Sequence, residues 1–137
     1  MHLRAEGAGR PVTLVLTPGQ QHEATVFERL REQGAVRRPG RGRPRLRPRR
    51  IVGDKGYTGR ARRAYCRRRG LRYTIPRLSS ERRRGPFDRT AYRRRHLIEN
   101  LFAHTKRFRA LATRYDKTAA SFHAAWTLVC TLLWLPK

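Results

Sequence analysis

The run from Tyr92 to Lys106, YRRRHLIENLFAHTK, has the residue spacing of one amphipathic helix. At about 100° per residue, positions seven apart nearly superimpose, and positions four apart lie one turn away on the same side. Tyr92, Arg95, Glu99 and Lys106 therefore share one narrow stripe, while Leu97, Leu101 and Phe108 share the opposite one. Such a helix buries its apolar side against other elements. What remains outward is a carboxylate flanked by two cations and a phenol, a wall suited to chemistry on a polyanion.

The partners for that apolar side are legible upstream and downstream. His2–Ala5 and Val12–Thr17 read as strands, the second by its period-two alternation, with a Gly-containing hairpin turn between them. A helix follows from about His22 to Gln33 and stops at Gly34. Arg50–Gly53 is a short buried strand ending at Asp54. Thr58–Arg69 reads as a basic helix closed by Gly70, and Leu71–Ile75 as a strand halted by Pro76. Asp88 suits the N-cap of the long helix, which is expected to run on to Tyr115-Asp116. The apolar stretch Ala119–Leu135 contains Ser121, His123, Thr127 and Thr131 and is slightly short for a bilayer, so it reads as a buried core helix. The order of strands and helices predicts a mixed α/β sheet with flanking helices.

Charge narrows the partners. With 34 basic and 9 acidic residues, the formal net charge is +25. Such an excess repels itself and favours a polyanion. Nearly all the cations are Arg, which grips phosphate bidentately; a GC-rich genome would give the same bias. The run from about 37 to 50, RRPGRGRPRLRPRR between Arg37 and Arg50, is too rich in Pro and Gly for regular structure. It reads as a flexible loop, either a phosphate-gripping arm or a solvated insertion. Cys66 and Cys130 have neither metal-ligand spacing nor a disulfide framework. No signal peptide opens the chain, so a cytoplasmic protein with no membrane span is expected.

Two carboxylates stand out, each with a plain alternative. Asp54 ends a strand, where it could donate to a metal ion or merely cap the turn before Gly56. Glu99 could do the same from its helix, or simply pair with Arg95 four residues back. His96 and Glu99 are three apart, a spacing that can hold a metal, but no further His or Cys completes a zinc site, so His96 is read as a surface or DNA-facing residue. Glu6 falls in the hairpin turn. Asp88, Asp116 and Glu81 read as caps or solvated charges.

The spacing Tyr92, Arg95, Glu99, Lys106 resembles the Tyr-Arg-Glu-Lys signature of insertion-sequence transposases with a DDE catalytic triad. Ile51-Val52-Gly53-Asp54-Lys55-Gly56-Tyr57 resembles the second motif of that family. Ala112-Thr113-Arg114-Tyr115-Asp116-Lys117 is similar to the continuation found in the insertion-sequence-five branch. The resemblance runs from near residue 2 to near residue 135 and implies a ribonuclease-H-like fold. It also implies that Asp54 and Glu99 are the second and third acidic ligands of a two-ion Mg²⁺ or Mn²⁺ site. Tyr92, Arg95, Lys106 and Arg109 would contact DNA.

In that fold the first Asp lies on the first strand, and this chain is expected to open just past it. Residues 1–137 would then be a truncated catalytic domain, a partial fold with the first strand absent. Its activity would be DNA transposition by phosphodiester cleavage and strand transfer, incomplete in this chain alone. Implied partners are the inverted-repeat ends, target DNA, a second copy, or the upstream half of a split transposase. A non-enzymatic DNA-binding regulator or a decayed remnant are the other readings.

Overall fold

The computed structural model describes residues 1–18, 23–34, 40–43, 47–82, 85–113 and 118–136. It is mixed α/β. Strands β1 (His2–Ala5) and β2 (Pro11–Val15) form an antiparallel hairpin, pairing His2 with Val15 and Leu3 with Leu14. The turn is held by Glu6, whose Oε1 accepts the amides of Ala8 (3.0 Å) and Arg10 (3.2 Å). Burial pushes its carboxyl up, but these two amides together with the Arg10 guanidinium outweigh it and hold the carboxyl below the ordinary range. Gly9 in this turn has φ of 86° and lies against the backbone and side chain of Leu97, where an added Cβ would come within 3.3 Å. The hairpin tip is thereby seated on the signature segment.

A 3₁₀ turn (Glu23–Val26) leads into α1 (Phe27–Glu32). Strand β3 (Arg50–Val52) then pairs in parallel with β4 (Arg72–Thr74), and α2 (Arg60–Arg68) makes the crossover. Gly53 extends the β3–β4 ladder, its amide donating to the Thr74 carbonyl at 3.1 Å. The remaining helices are α3 (Arg89–Arg93), α4 (His96–Thr105), α5 (Arg109–Ala112) and α6 (Ala119–Leu132).

Two expectations need correction. The single mixed sheet is instead two separate two-stranded sheets among the described residues, because no ladder joins β1 to β3. A cavity of about 660 Å³ lies where such a ladder would run. The long signature helix is also broken. Asp88 does cap its start, accepting the Ala91 amide at 2.8 Å. At Arg94-Arg95, however, the chain tightens to 3₁₀ spacing: Arg95 N–H bonds Tyr92 O and Leu97 N–H bonds Arg94 O. The Arg93 carbonyl is left without its helical partner and lies 2.7 Å from His96 Nδ1, which donates to it. His96 is thus a capping side chain at the break. A second break follows Thr105, and Phe108 ends outside α4 and 37% exposed, so the apolar side of α4 is Leu101, Ile98 and Phe102.

Among the described residues the core has three clusters. Leu3, Leu101, Leu111, Trp126 and Val129 form one beneath the hairpin. Phe27, Tyr65, Cys66, Leu71 and Ile75 form a second around the parallel pair. Val15, Val26 and Leu30 form a third, smaller one. Both cysteines are free thiols, and burial pushes each pKa up. Helix α6 buries one face only; Leu128 and Leu132 are exposed, as is Leu135 beyond its end. No helix among the described residues is long and apolar enough to cross a membrane.

Trp126 meets Phe102 and Phe122 edge-on, with ring centroids 6.0 and 6.3 Å away. Its buried indole N–H has no acceptor among the described residues. Leaving such a donor unpaired is costly, and that cost disappears with the group. Trp126→Phe should therefore destabilise by less than about 1 kcal/mol in urea unfolding, although it removes ring volume.

Of the Arg-rich loop, residues 37–39 and 44–46 lie outside the described residues, as does the expected helix start at His22. So does most of the Ala112–Lys117 continuation, including Asp116 and Lys117. Arg47 donates to the Arg69 carbonyl at the end of α2.

Candidate nucleic-acid and metal site

Asp54 is separated from β3 by Gly53 alone, whose bond to Thr74 fixes the backbone at the carboxyl end of the parallel pair. Gly53 before it lies against Ile75, where a Cβ would come within 3.2 Å of a side-chain carbon. The narrow residue lets the strand end close on its neighbour. Asp54 Oδ1 accepts the Lys55 amide at 2.6 Å and caps the 3₁₀ turn Lys55–Tyr57. Its Oδ2 faces Arg95.

Arg95 is the hinge of the site. Its Nη2 lies 3.2 Å from Asp54 Oδ2, and its Nη1 lies 2.9 Å from Glu99 Oε1. Arg95 and Asp54 are 41 positions apart in sequence. One guanidinium therefore draws together a strand-end carboxylate and a helix carboxylate. The plain alternatives are also realised, since Asp54 caps a turn and Glu99 pairs with Arg95, and neither excludes convergence. The side chains of Asp54 and Glu99 are 51% and 61% exposed, while that of Arg95 is 24% exposed. Both carboxylates thus open to solvent with the cation behind them. The 3₁₀ turn at Arg94-Arg95 sits at the residue that makes this bridge.

The other residues singled out from the sequence are more spread. Tyr92 stacks edge-on against Phe87, with centroids 5.2 Å apart, upstream of the helix break. Lys106 and Arg109 are exposed beyond the far end of α4. At 1.5 Å rise per residue, Lys106 stands about 10 Å along the axis from Glu99. The narrow stripe expected of one continuous helix is thus an extended track. Arg93 and Arg94 add exposed cations near its start.

Hard divalent ions take carboxylate oxygens, with waters and phosphate as further ligands, and Mg²⁺ often uses only one or two carboxylates. The carboxylates of Asp54 and Glu99 are of that donor type, and in this structure both are paired with Arg95. Among the described residues, no group of three Asp, Glu, His or Cys side chains converges. Glu6 is committed to its turn and Asp88 to its cap, where the Ala91 amide and Arg50 hold its carboxyl below the usual range.

Comparison with known proteins supplies the frame for this geometry. The family described as "Transposase DDE domain" matches residues 1–134. The chain belongs to that family. A curated relative, "Putative transposase for insertion sequence element IS402" of Burkholderia cepacia, is 27% identical over 132 residues, covering 96% of this chain and 60% of the relative. The chain thus spans about three fifths of the length of that relative. No solved structure matches the chain.

One feature of this DDE domain had no sequence signal. Arg63 in α2 is buried, its side chain 7% exposed, and it pairs with Glu81 at 2.8 Å. Thr58 Oγ1 donates to Glu81 Oε2 at 2.8 Å, and the Leu78 amide donates to the same oxygen at 3.2 Å. Glu81 is neither a cap nor a solvated charge. It locks the segment after β4 onto the start of α2.

Proposed function

We propose that this chain is part of the catalytic domain of a DNA transposase of the insertion-sequence-five-like branch, built on a ribonuclease-H-like fold. The supporting observation is the Arg95 bridge, which gathers Asp54 and Glu99 at the carboxyl end of a parallel strand pair. Ligands in open α/β sheets bind at such strand ends. In this reading Asp54 and Glu99 are two of the carboxylates that hold Mg²⁺ or Mn²⁺. Such an ion supplies Lewis-acid polarisation of a phosphodiester oxygen.

The chain's own residues set the rest. Arg95 holds the two carboxylates close together and offsets their mutual repulsion. When a DNA phosphate arrives, its charge competes for the same guanidinium, which can turn from carboxylate to phosphate. Lys106, Arg109 and Tyr92 take further phosphates along the α4 track and fix the register of the strand. DNA is the partner, as inverted-repeat ends and target. Two carboxylates supply less than a triad, so this chain alone binds DNA and carries out little or no strand transfer.

Arg95 and a divalent ion compete for the same oxygens. Exposed ion pairs are worth at most about 1 kcal/mol each. Releasing both, about 2 kcal/mol at most, should raise Mn²⁺ affinity by up to roughly thirtyfold, since each 1.4 kcal/mol is tenfold. Arg95→Gln should therefore bind Mn²⁺ more tightly than the unaltered chain in the absence of DNA, measured by the loss of free-ion EPR signal. Asp54→Asn and Glu99→Gln should each weaken binding. Unchanged affinity in all three variants would sink the proposed site.

A further inference from the structure

The two carboxylates of the site ride on different parts of the fold. Asp54 hangs from the end of β3. Glu99 stands on α4, which packs beneath the hairpin through Leu101 and Leu3 and meets its tip where Gly9 lies against Leu97. No ladder joins the hairpin to the parallel pair among the described residues. The spacing between Asp54 and Glu99 is therefore a spacing between two separately hydrogen-bonded units. Arg95 spans it, but Arg95 is also the group that an incoming phosphate draws away.

A second link crosses the same divide. His2, in β1, is buried. Its Nδ1 lies 2.9 Å from the Tyr57 hydroxyl, and the two rings meet edge-on with centroids 6.1 Å apart. Its Nε2 lies 3.1 Å from Oγ1 of Thr17, just beyond β2. The hairpin thus holds the imidazole from behind through Thr17 and turns the other nitrogen to Tyr57. Hydroxyls donate as well as accept, so this chain of bonds closes in either neutral tautomer.

Tyr57 passes the restraint to Asp54. It closes the 3₁₀ turn Lys55–Tyr57, with its amide donating to the Asp54 carbonyl at 3.0 Å. Its ring packs against the cluster around the parallel pair and against that of Val15, Val26 and Leu30. A tyrosine held both by its ring and by its hydroxyl leaves its own turn little room to shift. Burial of His2 shields this contact from the solvent and salt that weaken exposed pairs, so it outlasts the Arg95 bridge when phosphate arrives.

We infer that His2 and Tyr57 are positioning residues for the metal ligands: their hydrogen bond fixes the Asp54 turn against the hairpin that seats α4, and so sets the Asp54–Glu99 spacing. The inference rests on the reading in which those two carboxylates share one ion.

The test is Mn²⁺ broadening in the DNA-bound chain, compared between residues 53–55 and 98–100. A typical net hydrogen bond biases an arrangement about fivefold. In Tyr57→Phe, which keeps the ring, broadening at one of the two segments should fall by about that factor relative to the other, as the ion leaves one carboxylate. Tyr73→Phe removes a hydroxyl from β4 beside the same core cluster and should leave the ratio unchanged, whatever it costs in stability. His2→Asn and His2→Leu both lose the imidazole, but only the Asn amide can replace Nδ1, so only His2→Asn should keep the ratio near that of the unaltered chain. Without metal or DNA, NMR exchange between the Arg95 Nη1 and Nη2 signals should quicken by a similar factor in Tyr57→Phe, because Asp54 no longer pins Nη2.

An unchanged ratio in Tyr57→Phe, equal ratios in His2→Asn and His2→Leu, or unchanged Arg95 exchange would each overturn the inference while Asp54→Asn still abolishes broadening. Broadening that ignores Asp54→Asn would instead bring down the shared-ion reading, and the inference with it.

Discussion

DNA affinity of this chain should fall by about a thousandfold or more when salt rises from about 50 to about 200 mM, as expected for six or more phosphate contacts. The net charge of +25 supplies the driving force. The structure supplies the track: exposed Arg93, Arg94, Lys106 and Arg109 lie along α3 to α5. Each cation that neutralises a phosphate releases condensed counterions, so log affinity is linear in log salt with a slope near −0.9 per contact. Lys106→Ala and Arg109→Ala should each reduce that slope by about one. Sequence preference should be slight, because phosphate contacts position a protein and base contacts specify it. Anisotropy titrations on two unrelated duplexes over the salt range measure both. A shallow slope would place the charge somewhere other than a phosphate track.

The second large effect concerns Arg63. Removing Glu81 leaves a buried guanidinium without its carboxylate, a change that typically costs about 3–5 kcal/mol in a fully buried pair. Glu81 is itself 24% exposed, so Glu81→Ala should cost about 3 kcal/mol, the lower end of that range. The pair also has a pH signature. The Arg63 hydrogen bonds, ahead of those from Thr58 and Leu78, depress the Glu81 carboxyl from 4.5 to about 2. A depressed carboxylate contributes stability in full above its unfolded value and loses it as pH falls through the folded one. The stability gap between the unaltered chain and Glu81→Gln should hold steady above about pH 5 and close between 4.5 and 2. Melting temperatures across that range decide it; a gap still open at pH 2 would mean that the pair is not the cause.

How far the sequence revealed this structure varies by element. The hairpin was readable because Val12, Leu14 and the Gly-containing turn are local signals, and the same holds for the Asp88 cap. The parallel pair was readable in position, since Gly53 and Pro76 mark the strand ends. The break at Arg94-Arg95 was not, because nothing in three consecutive arginines forbids a helix. It is stabilised by the His96 ring on the Arg93 carbonyl and by the pull of Asp54 on Arg95, both settled only after folding. The separation of the two sheets was equally hidden, since period and turn signals say where strands are and not which ones pair. Arg63 was one cation of a basic helix and Glu81 read as a cap or solvated charge, because burial of an ion pair leaves no mark on spacing. For the candidate site, periodicity placed Glu99 and Arg95 together, while Asp54 joined them only through the family motif.

The central claim is that Asp54 and Glu99 share one divalent ion next to bound DNA. Paramagnetic broadening by substoichiometric Mn²⁺ in the DNA-bound chain tests it most directly, because it reports position and not merely affinity. The account predicts broadening centred on residues 53–55 and 98–100, abolished by Asp54→Asn. Broadening centred on Glu6, Glu81 or Asp88, or unchanged in Asp54→Asn, would contradict it.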